Sequence, residues 1–150
     1  MKVLIAVDET ESAHHATSVA KVLFPLAEHI TLSAAELPPF VFGVALGGSA
    51  SPPSDALTSA VVANAQSNAA AAAAVIHGAA SEVEAGDAGL VICREAARLK
   101  VDVVVVGRET KSIVSRLFHP SVSDYVMKNA PCPVLVVREE GAGLPTAPIR

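Results

Sequence analysis

The sequence holds no tryptophan, one tyrosine and four phenylalanines, so its core must close with aliphatic and small side chains rather than aromatic rings. Cysteine is equally scarce. Cys93 and Cys132 are too few for the bridged framework of a secreted mini-protein, and they lack the C-x-x-C spacing of zinc or redox sites. They are expected to act as small buried hydrophobes in a reducing, cytoplasmic compartment. Charged residues make up only 17% and the net charge is -4, which leaves no basic field for nucleic acid or anionic lipid. Neither nucleic acid nor membrane is an expected partner. No apolar run is long enough to span a bilayer: the segment 1–7 meets Asp8 and Glu9 at once, and the Ala-rich stretch 69–76 is too short. Absent too are G-x-S-x-G, a Walker lysine motif, G-x-G-x-x-G and H-E-x-x-H. The expectation is no catalytic residue, no metal site and no enzyme. His14 and His15 are adjacent, about 100° apart on a helix, and so cannot serve one metal from one face.

What is present is apolar and short-chained. Hydrophobic residues make up 51% of 150, enough to build one domain with a sizeable core. The segment 2–7 (KVLIAV) is continuously apolar rather than alternating, as in a strand covered on both faces by helices. Asp8 with Glu11 resembles a capping box, after which Ala13, Ala16, Ala20, Leu23 and Ala27 recur at helical steps. Pro25 should perturb the last turns of that helix. A second strand is expected over 30–35. The segment 37–54, with four prolines and three glycines among Phe40, Val41, Phe42 and Leu46, reads as a long, partly apolar loop, of a length that is either functional or disordered. Residues 55–77 form an Ala-rich helix ending against Gly78, and 79–83 a short strand. A third helix is expected over 87–100, then a buried strand over 101–106 (VDVVVV), a loop over 107–120, a short helix over 121–129 and a last strand over 133–137. The domain is expected to span 1–138, with 139–150 a flexible tail.

Strands alternating with helices predict an α/β fold: an open parallel five-stranded sheet, Rossmann-like, with helices on both faces. Ligands bind such sheets beyond the carboxyl ends of the strands, where strand order reverses. Asp8 onward and Gly107 onward are the segments that leave the sheet there.

The opening KVLIAVDETESAHHA and the run VDVVVVGRETKSIVSRLFHPSVSDYVMKNAPCPVLVV, in this order and spacing, resemble the universal stress protein family over residues 1–138. The resemblance implies an adenine-nucleotide-hydrolase-like fold and a homodimer joined through Pro133, Val134, Leu135, Val136 and Val137. It also implies nucleotide-side positions at Asp8, Ala35, Gly107, Thr110, Ser121 and Ser123. ATP-binding members carry Gly, two residues, Gly, nine residues, Gly and then Ser or Thr after the fourth strand. Here that spacing falls on Gly107, Thr110, Pro120 and Ser121. The two middle glycines are replaced, one by a β-branched residue and one by a residue with no N–H to donate. Asp8 is either a helix cap or a carboxylate facing the nucleoside; Ser121 and Ser123 either cap a helix or meet phosphate. Arg108, Lys111 and Arg116 are either a solvated basic loop or an anion site. The function expected is a non-catalytic stress-response dimer acting through an unknown protein partner, with nucleotide binding weak or lost. The alternative is ATP or AMP binding through a rearranged loop.

Overall fold

A computed structural model describes residues 1–36, 54–108 and 121–138. All of the expected loop 37–54 except Ser54, which caps the helix that follows it, lies outside the described residues, as do the positions Thr110, Lys111, Arg116 and Pro120 and the expected tail. Five strands form one parallel sheet: β1 (Lys2–Ala6), β2 (Glu28–Ala35), β3 (Ala80–Ala85), β4 (Val103–Arg108) and β5 (Val134–Arg138). Their order across the sheet is β3-β2-β1-β4-β5. The chain therefore runs outward from the centre on one side, then returns to β1 and runs outward on the other.

Among the described residues four helices cover the two faces: α1 (Glu11–Leu23), α2 (Asp55–Val75), α3 (Ala88–Leu99) and α4 (Val122–Asn129). The continuous apolar run of β1 is explained by this sandwich. Val3 and Ile5 enter the layer under α1 and α2, and Leu4 enters the layer under α3 and α4. All three are fully buried, and each contributes roughly 1.5–3 kcal/mol of hydrophobic stabilisation. In α2 the side chains that go inward are Ala65, Ala69 and Ala72, so the helix axis can approach the sheet closely. Thr31 of β2, wholly buried, donates its hydroxyl to the Ala69 carbonyl at 2.9 Å and lies 3.2 Å from that of Ala80.

Several boundaries differ from the sequence expectation, each for a local reason. Helix α1 starts one residue after Thr10, whose extended backbone (φ -79°, ψ 149°) lets its Oγ1 accept from the Ala13 N–H at 3.2 Å. Thr10 is the cap, and the Asp8–Glu11 capping box is not formed because Asp8 lies two residues too early. The helix stops at Leu23, before Pro25, because Phe24 leaves helical space ahead of the ring. Helix α2 ends at Val75; Gly78, at φ +87°, shapes the following turn rather than capping it. Strands β2, β3 and β4 each extend beyond the expected apolar runs because parallel pairing carries polar residues such as Glu28, Glu84 and Arg108 along with them.

Strand β3 is held to α3 by charge rather than by apolar contact. Arg98 links Glu82 at 2.6 Å with Glu95, and Arg94 links Glu84 at 3.2 Å with Glu95 at 3.0 Å. Glu95 is 2% exposed at the centre of this ring. Burial pushes its carboxyl up, but hydrogen bonds from Arg98 and Arg94, with their charges, outweigh that and hold it below the usual carboxylate range.

Candidate functional site

Beyond the carboxyl ends of β1, β2 and β4 lies a cavity of about 320 Å³, at the low end of the roughly 300–1,000 Å³ typical of ligand pockets. It occupies the point where strand order reverses around β1. Its floor is formed by the strand ends, Val7, Ser33 and Val106 among them, and its walls by Val61, Asn64 and Asn68 of α2, Ala88 and Ile92 of α3, and Val122 of α4. Asp8, Glu9 and Glu36 supply charge at its rim.

Asp8 continues from β1 and turns the chain into α1. Its Oδ1 accepts from the Thr10 N–H at 2.9 Å and from the Thr10 hydroxyl at 2.5 Å. Because that hydroxyl has only one proton, the 3.0 Å contact between Thr10 Oγ1 and Ser12 Oγ is donated by Ser12. Asp8 thus anchors the cap of α1 from outside the helix. Glu9 accepts from the Asn68 side-chain amide at 3.4 Å, tying the rim to α2. Glu36 reaches across to α3, where its Oε1 accepts from the Ala88 N–H at 2.5 Å, and Asp87 Oδ1 accepts from the Leu90 N–H at 2.9 Å. The positive end of α3 is covered by two carboxylates of the chain itself.

Gly107 lines the cavity at the end of β4, where its backbone meets the first turn of α1. A Cβ built there would lie 2.6 Å from both the carbonyl carbon and oxygen of Ser12 and 2.8 Å from the Ala13 nitrogen. Glycine is demanded here by backbone packing alone. Ser121 caps α4, its Oγ accepting from the Asp124 N–H at 3.2 Å, and it shares a 2.7 Å hydrogen bond with the buried Ser123. Arg108 Nη1 pairs with Asp124 Oδ1 at 3.0 Å. Its charge is answered within the chain.

Of the six positions expected on the nucleotide side, the structure brings Asp8 and Gly107 into the cavity lining and sets Ser121 and Ser123 on either side of the lining residue Val122. Ala35 is buried at the end of β2, its carbonyl accepting from the Gly86 N–H at 3.2 Å; its neighbours Ala34 and Glu36 line the cavity instead. Thr110 lies outside the described residues. Sequence reasoning did not single out Glu36, Asn64 or Asn68. Asn64 and Asn68 carried a usable signal: with Val61 and Ala65 they mark one face of the Ala-rich α2 at helical spacing. Pro133 to Val137 place β5 at one edge of the sheet, with Val134 and Val136 in the layer of α4 and Leu135 and Val137 in the layer of α1.

No group of His, Cys, Asp and Glu among the described residues is arranged to hold a metal ion. Burial pushes the thiols of Cys93 and Cys132 up, which disfavours the thiolate that nucleophilic chemistry needs. Among the described residues no helix is long and apolar enough to cross a membrane.

Comparison with known proteins places this geometry. A family model described as the universal stress protein family matches residues 1–138. A universal stress protein A-like protein of Arabidopsis thaliana is 32% identical over 66 residues, 44% of this chain and 38% of that protein's own length. Two solved structures share the fold at lower identity. One is a universal stress protein family member of Arabidopsis thaliana with AMP bound, at 19% identity, covering 97% of this chain and 96% of that one with a TM-score of 0.64. The other is a universal stress protein in complex with cAMP, at 20% identity, covering 93% and 97% with a TM-score of 0.59.

Proposed function

This chain belongs to the universal stress protein family, and on that footing we propose that it is a non-catalytic regulatory homodimer that works through protein contacts and holds nucleotide weakly. The observation that carries the reading is that groups which could meet a phosphate are engaged within the chain: Arg108 pairs with Asp124, Ser121 caps α4, and Gly107 makes room for the first turn of α1. Thr110 and Pro120 add to it, standing where the ATP-binding pattern has glycines. Losing charge-assisted hydrogen bonds worth about 1.5–3 kcal/mol each weakens binding roughly tenfold or more per bond.

Isothermal titration with Mg²⁺ and ATP tests the reading on the natural chain and on the double variant Thr110→Gly, Pro120→Gly. The natural chain should show no micromolar binding and the variant a gain of at least tenfold. Micromolar affinity in the natural chain would sink the proposal. A second reading, AMP or ATP held through a rearranged loop, is favoured by the AMP and cAMP found in the two fold relatives. It predicts that micromolar binding and no further gain from the glycines.

A further inference from the structure

We propose that Cys93 and Cys132 form an oxidisable thiol pair, whose substrate is a hydroperoxide and whose product is a disulfide joining α3 to the start of β5. They are the only two cysteines of the chain and stand far apart in sequence, with no motif to pair them. The fold brings them to one place. Both are unbridged and half-buried, and both pack against the layer built from Ile92, Ala96, Val104 and Val126, between the sheet and helices α3 and α4.

Their positions follow from the helix pair. Each of α3 and α4 leads from one parallel strand to another, so the two run in the same direction side by side. They touch where Gly89 meets the Tyr125 ring: a Cβ on Gly89 would lie 2.7 Å from Tyr125 Cδ1. One turn on from Gly89, on the same side of α3, is Cys93. One turn on from Tyr125 is Asn129, the last residue of α4, whose side-chain amide donates to the Tyr125 carbonyl at 2.8 Å. The chain then passes through Ala130 and Pro131 to Cys132. The Val104 N–H donates to the carbonyl of the next residue, Pro133, at 3.0 Å, which fixes Cys132 at the entry to the β4–β5 pair. The other side of α3 carries Arg94 and Arg98 to Glu84 and Glu82, so Cys93 faces away from that ring and toward α4. The thiols also feel one another: burial first, and then the charge of Cys132, push Cys93 up. Burial pushes Cys132 up as well, but there the Val104 N–H acts in the opposite sense. Cys132 is therefore the attacking sulfur and Cys93 the one that resolves.

The chemistry balances with one peroxide. The Cys132 thiolate attacks a peroxide oxygen, an S–O bond forms as the O–O bond breaks, and the departing hydroxide takes up the proton that Cys132 released. Cys93 then attacks the sulfenic sulfur as thiolate. An S–S bond forms, the S–O bond breaks, and hydroxide leaves as water with the proton from Cys93. With hydrogen peroxide, two electrons pass from the thiol pair to one peroxide, which ends as two waters. The product closes a loop that contains β4 and α4 and pins the first residues of the edge strand β5 to α3.

The natural protein, reduced and freed of reductant, is treated with hydrogen peroxide, alkylated with N-ethylmaleimide, digested without reduction and mapped by mass spectrometry. A peptide pair joined through Cys93 and Cys132 of one chain should appear at a rate independent of protein concentration, with both thiols lost to alkylation together. The raised thiols keep the reaction slow at neutral pH, and its rate should rise about tenfold per pH unit. Cys93→Ser should stop at a Cys132 sulfenic acid that dimedone captures, and Cys132→Ser should consume peroxide about tenfold more slowly than the natural chain. The link itself is read on the natural chain, so a variant that fails to fold does not remove the test. Thiols that pass separately to sulfinic acid with no link between them overturn the inference. So does a disulfide found only between two chains, one that forms only in denaturant, or a rate that does not rise with pH.

Discussion

Glu95 carries the clearest consequence of any single side chain. Its carboxyl is held below the ordinary range in the folded chain, so the stabilisation it provides is complete above the unfolded Glu value of about 4.3 and is lost as pH falls through the folded value. Glu95→Gln should cost about 1.5–3 kcal/mol at neutral pH and flatten the acid limb of a stability-against-pH curve measured by urea denaturation. An unchanged acid limb would assign the acid sensitivity to other carboxylates. The sequence marked Asp8 and Gly107 for the cavity because each directly follows an apolar strand. It could not mark Glu36 or Glu95, since a lone Glu reads as solvated until its partners, Ala88 in one case and Arg94 and Arg98 in the other, are brought to it by the fold. Gly107 shows the reverse limit: its place was legible and its reason was not, because the Ser12 backbone it accommodates is 95 positions away in sequence.

Among the described residues, each strand and helix was legible from period and composition, while the boundaries were not. Helix ends turned on single side chains, Thr10 in place of Asp8 and Phe24 ahead of Pro25, and strand ends turned on the length of the neighbouring strand. Strand β5 bears on assembly because it is an edge. Val104 N–H donates to the Pro133 carbonyl, so Pro133 points its backbone toward β4, and by the two-residue alternation Val134 and Val136 point theirs outward. If β5 pairs with its copy in a second subunit, Val136→Pro removes an outward donor while sparing the β4 ladder. Sedimentation should then show monomer with a cooperative melt retained. A dimer that persists places the interface elsewhere.

For the molecule as a whole, the order β3-β2-β1-β4-β5 makes the first strand the centre of the sheet. The Lys2 N–H donates to Asp102 Oδ2 at 2.7 Å across 100 residues, and Val3 lies in register with Val103. A chain ended at residue 101 keeps β2 and β3 but leaves one side of β1 unpaired. It should melt without a cooperative transition, and a sharp one would show that the first half is self-sufficient. The same separation acts during synthesis. At about 5–20 residues per second the ribosome needs roughly 5–20 s to make the chain between β1 and its β4 partner. Throughout that interval an apolar strand has emerged with one edge open, so the yield of native protein depends on translation speed and on whatever shields the nascent chain until Val103 arrives.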